Sequence, residues 1–108
     1  MLTIVLLTLN EEEAIGTVID ELKHEGYENI LVVDGYSTDF TVKIAKEKGA
    51  KVVLQKGKGK TGAIKTAIEL AKTPYILVMD ADGTYNPKDI ENFRGYREFK
   101  ELLAQQNT

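Results

Sequence analysis

"TIVLLTLNEEEAIGTVIDEL", Thr3 to Leu22, opens with an unbroken apolar run and closes on a helical rhythm. The run Thr3 to Leu7 shows no polar alternation, the pattern of a strand covered on both faces. Further on, Ala14, Ile15, Val18, Ile19 and Leu22 fall on one stripe of an amphipathic helix. A doubly covered strand followed by such a helix is the first half of a βαβ unit. Between the two, Asn10 reads as an N-cap three residues before Glu13. Glu11, Glu12 and Glu13 then read as acids in a first helical turn, where the helix dipole favours negative charge.

The same alternation continues outward. Apolar runs recur at "ILVV" (Ile30 to Val33), "VVL" (Val52 to Leu54) and "YILVM" (Tyr75 to Met79). A second helix is expected near Thr38 to Lys48, and a third along the stripe Ala63, Ile64, Ala67, Ile68, Ala71. Gly26 and Gly49 stand where helices should end, and Asn86-Pro87 opens a terminal helix over 86–104, followed by a frayed tail at 105–108. Strand and helix alternating at this pace predict right-handed βαβ units, a parallel sheet and one domain over residues 1–108.

Composition narrows the classes of partner. The chain has 108 residues, with 14 basic against 17 acidic and a net charge of −3, so nothing in the balance favours nucleic acid or an anionic membrane surface. Without cysteine, disulfides and thiolate metal sites are excluded, and a cytoplasmic protein is expected. The start "MLTIVLLTLNEEE" lacks the basic region and small-residue cleavage site of a signal peptide. No stretch approaches the ~20 apolar residues that span a bilayer.

The chemistry-bearing residues gather at strand ends. Asn10 and Glu11 follow the first strand, Asp34 the second, "KGKGK" the third, and Asp80 and Asp82 the fourth. In open parallel sheets the carboxyl edge is where ligands bind. Asp80-Ala81-Asp82 suits a hard divalent cation, Mg2+ or Mn2+, which takes one or two carboxylates and completes its shell with water and phosphate oxygens. The plainer reading of "DADGT" is a turn.

In "KGKGKTG", Gly57-x-Gly59-x-x-Gly62 has the form of a dinucleotide fingerprint, but it follows the third strand instead of the first. Leu54 stands where a P-loop needs glycine. What remains is a loop whose backbone amides can approach a phosphate, with Lys56, Lys58 and Lys60 adding charge; a solvated surface loop explains it equally. His24, the sole histidine, is expected in solvent. Tyr36 and Tyr85 are of the type that stacks on a base or sugar, although a structural tyrosine is the plainer reading.

"TLNEEEAIGTVIDEL", "ILVVDGYSTDFT", "KGKGKTGAIKTAIELA" and "YILVMDADGTYNP", in this order, resemble glycosyltransferase family two, in particular the polyprenyl-phosphate sugar synthases of the dolichyl-phosphate mannose synthase type. The resemblance runs from about Leu2 to Phe93. It implies the N-terminal, nucleotide-sugar-binding half of a GT-A fold: a three-layer α/β/α Rossmann-like parallel sheet with four core strands. It further implies that Thr8, Asn10 and Glu11 line the nucleoside pocket and that Asp34 meets the nucleobase. Lys60 would lie near the diphosphate, and Asp80 and Asp82 would hold the metal, Asp82 more firmly.

The activity implied is inverting transfer of a sugar from a nucleoside-diphosphate sugar, of the GDP-mannose or UDP-glucose type, to an acceptor such as polyprenyl or dolichyl phosphate. A lipid acceptor would place a full-length relative at the cytoplasmic membrane face. The family carries its acceptor-side acids in a second half beyond the fourth strand, so no catalytic base is assigned and the 108 residues read as a truncated transferase. Leu7 stands where relatives often have proline, and Val33-Asp34-Gly35-Tyr36-Ser37 lacks a second acid of the family's pattern. The segment "FRGYREFKELLAQQNT" puts Phe93, Tyr96, Phe99 and Leu103 roughly on one side, which would cap the core or, if exposed, favour a homo-oligomer. Two other readings stay open: a nucleotide-sugar-binding module without transfer activity, and a dinucleotide-binding Rossmann domain using Gly57, Gly59 and Gly62.

Overall fold

A computed structural model describes residues 2–81. The chain runs β1 (Leu2–Thr8), α1 (Ile15–His24), β2 (Ile30–Asp34), α2 (Thr41–Glu47), β3 (Lys51–Leu54), α3 (Gly59–Leu70) and β4 (Tyr75–Asp80). All pairings are parallel, in the order β3-β2-β1-β4. The continuous apolar runs have the expected cause, because alternate residues of each strand feed different layers. Ile4, Leu6, Ile30, Val32, Leu77 and Met79 pack with Ile15, Val18, Ile19, Leu22 and Ala45 of α1 and α2. Val5, Leu31, Val33 and Ile76 meet Ala63 and Ala67 of α3 on the opposite face. The result is the expected α/β/α sandwich.

This topology sets where a ligand can sit. The chain steps outward from β1 to β2 to β3, then returns through α3 to place β4 on the free side of β1. The β1–β4 junction is therefore a topological switch point, with α1 on one face of the sheet and α3 on the other, and the carboxyl edge there is where a crevice is expected.

Both glycine stops hold, with φ of 94° at Gly26 and 87° at Gly49. After α1, the Gly26 and Tyr27 N–H groups donate to the carbonyls of Lys23 and Leu22; after α2, Gly49 and Ala50 donate to Lys46 and Ala45. These are Schellman ends, which satisfy carbonyls that the helix leaves open.

The helix starts differ from expectation. α1 begins at Ile15, with no acid in its first turn, and Asn10 is not its cap. Asn10 has a φ of 55°, outside the extended conformation of an N-cap. The glutamates instead form a turn ahead of the helix, in which the Glu11 carbonyl accepts from the N–H groups of Ala14 and Ile15. α2 is shorter than 38–48, because Ser37, Thr38 and Asp39 bond across to the preceding loop. α3 already starts at Gly59, so the second half of the lysine-rich stretch is helix. His24 is exposed as expected. Asp82, Tyr85, Asn86-Pro87, the terminal helix expected over 86–104 and the tail at 105–108 lie outside the described residues. Among the described residues no helix is long and apolar enough to cross a membrane.

Candidate functional site

The four strands end nearly level: Thr8 pairs with Asp34, Asp34 with Leu54, and Leu7 with Asp80. The ladder continues one residue further, with Gly35 N–H donating to Thr8 O at 2.8 Å, Gln55 to Asp34 O at 2.9 Å and Ala81 to Leu7 O at 3.1 Å. Over this edge lies a cavity of about 360 Å³. Its apolar lining is Leu7, Leu9, Val33 and Ala63; its polar lining includes Thr8, Glu11, Gln55, Lys60 and Asp80. An apolar pocket with a few convergent polar groups is the usual form of a small-molecule site.

Lys60 and Asp80 face each other across the mouth, with Lys60 Nζ 3.4 Å from Asp80 Oδ2. Both side chains are more than half exposed, at 66% and 56%, so the pair is solvent-screened and free to receive a charged ligand. Lys60 is the lysine of "KGKGK" that lines this cavity, whereas Lys56 leans toward Glu69 at 3.8 Å on the surface.

The aim of Lys60 depends on a close approach. A Cβ on Gly62 would lie 2.8 Å from both the Gly57 carbonyl carbon and the Lys56 oxygen, so the first turn of α3 sits directly on the loop before it. Buried Thr66 fixes the same loop: its Oγ1 accepts from Lys56 N–H at 2.8 Å and lies 2.8 Å from Gly62 O. Gly62, the third glycine of the dinucleotide pattern, thus serves helix-to-loop packing.

Of the residues expected at the nucleotide, Thr8, Glu11, Lys60 and Asp80 line the cavity, whereas Asn10, which is exposed, and Asp34, which is buried, are outside its lining. Asp34 is fully buried, its carboxylate accepting from Thr8 Oγ1 at 2.7 Å, Ser37 N–H at 2.8 Å and Ser37 Oγ at 2.6 Å. A buried carboxylate needs such donors, and here they come from the loop itself. Asn10 accepts from Thr38 N–H at 2.8 Å, while its own N–H donates to Ser37 Oγ. Tyr36 is exposed at 61% with a φ of 68°, which corrects the structural-tyrosine reading.

Further bonds clasp the β1–α1 and β2–α2 loops together. Glu11 N–H donates to Thr41 Oγ1, Glu12 N–H to Asp39 Oδ2, and Phe40 N–H to Glu12 Oε2. Asp39 also accepts from the Thr41 side chain and N–H. Desolvation pushes the Asp39 carboxyl upward, but hydrogen bonds from the Thr41 side chain and from the backbone of Thr41 and Glu12 outweigh it, leaving its pKa below the usual carboxylate value. A depressed folded-state pKa contributes stability that is present above the unfolded value and lost as pH falls through the folded one. The clasp is therefore expected to persist through the ordinary carboxylate range and to loosen only below it. An NMR pH titration following the Thr41 and Glu12 amides checks this; a midpoint at or above the ordinary Asp value would refute it.

For a metal, the described residues supply one expected ligand. No group of three or more His, Cys, Asp or Glu side chains is arranged around a point among them. Asp80 is a half-exposed carboxylate at the cavity mouth, which fits a hard ion that keeps most of its water and takes one or two carboxylates. Asp82 stands two residues on in the sequence. Gln55 was not singled out by sequence, since glutamine in a polar loop carries little signal. Its place directly after β3, level with Gly35 and Thr8, would have found it.

A doubly wound parallel sheet with a largely apolar crevice at its carboxyl edge, into which a few polar groups converge, defines a nucleotide-binding α/β domain. The chain belongs to glycosyl transferase family 2, whose family profile matches residues 3–102. It is 47% identical over 83 residues to glycosyltransferase AglJ of Haloferax volcanii, covering 76% of this chain and 27% of that protein. A dolichyl-phosphate hexose transferase of the same organism is 34% identical over 94 residues, covering 85% of this chain and 41% of the relative. Among solved structures, glucosyl-3-phosphoglycerate synthase from Mycobacterium tuberculosis in complex with UDP superimposes with a TM-score of 0.79 at 26% identity, covering 88% of this chain and 39% of that one. The fold is thus the GT-A, Rossmann-like one, and the chain spans less than half the length of these relatives.

Proposed function

We propose that this chain forms the donor site of a transferase that moves a sugar from a nucleoside diphosphate, of the GDP-mannose or UDP-glucose type, to an acceptor such as polyprenyl phosphate. The observation that carries it is the Lys60–Asp80 pair at the mouth of an otherwise largely apolar cavity at the switch point. Lys60, near the N-terminus of α3, offers positive charge where a diphosphate would lie. Asp80, with Asp82, would hold Mg2+ or Mn2+; when bound, the ion neutralises charge on the leaving diphosphate. Glucosyl-3-phosphoglycerate synthase has been crystallised with Mn2+ and UDP-glucose, which supports this donor chemistry.

The acceptor is drawn from the hexose transferase relative, whose name specifies dolichyl phosphate. Such a lipid would bring the transferase to the cytoplasmic membrane face. Inversion at the sugar carbon follows from single displacement in this reading. Alternatively the chain by itself binds the donor and transfers nothing; the groups facing the cavity mouth, Lys60 and Asp80, are donor-side groups. Sugar-transfer assays with lipid and soluble acceptors separate the two.

Calorimetric titration of UDP and GDP, with and without Mn2+, tests the donor site. One nucleotide is expected to bind in a metal-dependent way, and Asp82→Ala to weaken it about tenfold, the equivalent of ~1.4 kcal/mol. Absence of binding by either nucleotide with metal present, or undiminished binding by the variant, would overturn the proposal.

A further inference from the structure

Away from the donor cavity, α2 and the turn before α1 form an open groove of about 390 Å³, lined by Glu12, Glu13, Phe40, Lys43, Ile44 and Glu47. It shares no residue with the lining of the donor cavity, so what docks here is independent of the donor-site reading. Its apolar surface comes from Phe40 and Ile44, and its charge is three carboxylates against one ammonium. Glu12 is engaged by the Phe40 N–H in the clasp, but among the described residues Glu13 and Glu47 enter no ion pair, and both are exposed. Open acids beside apolar surface complement a partner that carries positive charge on apolar stems.

Phe40 decides the kind of cation. Its side chain is 64% exposed and has no part in starting α2, where the Asp39 carboxylate accepts from the Thr41 N–H. A lone exposed phenylalanine is ordinary, but this one already has a cation over its ring, with Lys43 Nζ 5.8 Å from the centroid. Lys43 and Glu47 are four residues apart on α2, the spacing of a helical ion pair, yet no such pair forms. The ammonium stays with the ring. The groove thus holds one cation of its own on an aromatic face, with carboxylates left over for another.

Arginine suits both features at once. Its planar guanidinium stacks on an aromatic ring and keeps N–H groups at its edge for a carboxylate, which a compact ammonium does less well. A volume of this size takes a few side chains, so the occupant is a segment of chain and not a broad surface. We propose that the groove docks a basic segment of a partner protein, one of whose arginines takes the place of Lys43 on Phe40 while Glu13 and Glu47 pair with its charge.

The test follows the backbone amides of the whole chain by NMR as the blocked peptide Gly-Arg-Leu-Arg-Gly is added, with Gly-Lys-Leu-Lys-Gly and Gly-Glu-Leu-Glu-Gly as comparisons. Shifts are expected at Glu13, Phe40, Lys43 and Glu47, with the arginine peptide bound most tightly and the acidic one not at all. Phe40→Ser and the double variant Glu13→Gln/Glu47→Gln are each expected to weaken binding about tenfold. Lys43→Gln, by removing the competing cation, is expected to strengthen it. Shifts spread evenly over the acidic surface, arginine and lysine peptides bound alike, or binding unchanged in Phe40→Ser would overturn the proposal. So would movement of the same amides with protein concentration alone, which assigns the groove to a second copy of this chain. If Phe40→Ser fails to fold, the glutamate variant decides, and undiminished binding by it overturns the proposal as well.

Discussion

Lys60→Glu is expected to weaken nucleoside diphosphate binding by about 100-fold, or ~2.7 kcal/mol, with the fold intact. The wild-type ammonium lies 3.4 Å from Asp80 at the cavity mouth. Reversal removes an attraction for the diphosphate and adds repulsion, with Asp80 contributing to the same negative field. At an effective dielectric of ~20, two unit charges ~4 Å apart interact by ~4 kcal/mol, and the exposure of both side chains reduces this through solvent screening. Lys60→Gln should lie between the two, and raised salt should narrow the gap. Calorimetry with unfolding controls makes the measurement. Equal affinity of Lys60→Glu and wild type would remove Lys60 from the diphosphate site.

Gly62→Ala is expected to destabilise the chain by ~1–3 kcal/mol, although alanine is worth ~1 kcal/mol more than glycine in a helix interior. The sign of the change is the test. The added Cβ would lie 2.8 Å from two backbone atoms, and backbone cannot swing aside as a long side chain can. Either α3 lifts or the Lys56–Gly57 segment retreats, and each movement pulls Thr66 from its bonds. Urea unfolding measures the change. A variant as stable as wild type, or more so, would mean that helix propensity prevails and the approach is not tight. Diphosphate affinity should fall in parallel, since Lys60 is carried on the same turn.

Strands were legible from their continuous apolar runs, but the expected burial on both faces holds for β1, β2 and β4 and not for the edge strand β3, where Leu54 is exposed and Val52 and Val53 are only partly covered. The Schellman glycines were legible because the backbone there needs a positive φ. Helix starts were not. Asn10 and the glutamates fit an N-cap locally, yet their partners lie in the β2–α2 loop, which local spacing does not reveal. For the site, sequence placed Lys60 and Asp80 at the right edge, because strand ends in a parallel sheet converge there. It did not show that Asp34 is enclosed by Thr8 and Ser37, since enclosure depends on how two loops fold over each other. Gln55 illustrates the same limit: the orientation of its amide comes from the carbonyls of Gly57 and Gly59, and those follow from the path of the chain after β3.

The clasp between the first two loops also bears on how this domain can change over generations. Asn10 meets Ser37 and Thr38, and Glu12 meets Asp39 and Phe40, each pair through a side chain on one loop and backbone on the other. A substitution or insertion in either segment breaks bonds that only the other can restore. The two loops should therefore be inherited as a matched set, and a chimera that exchanges one alone should fold less well than one that exchanges both.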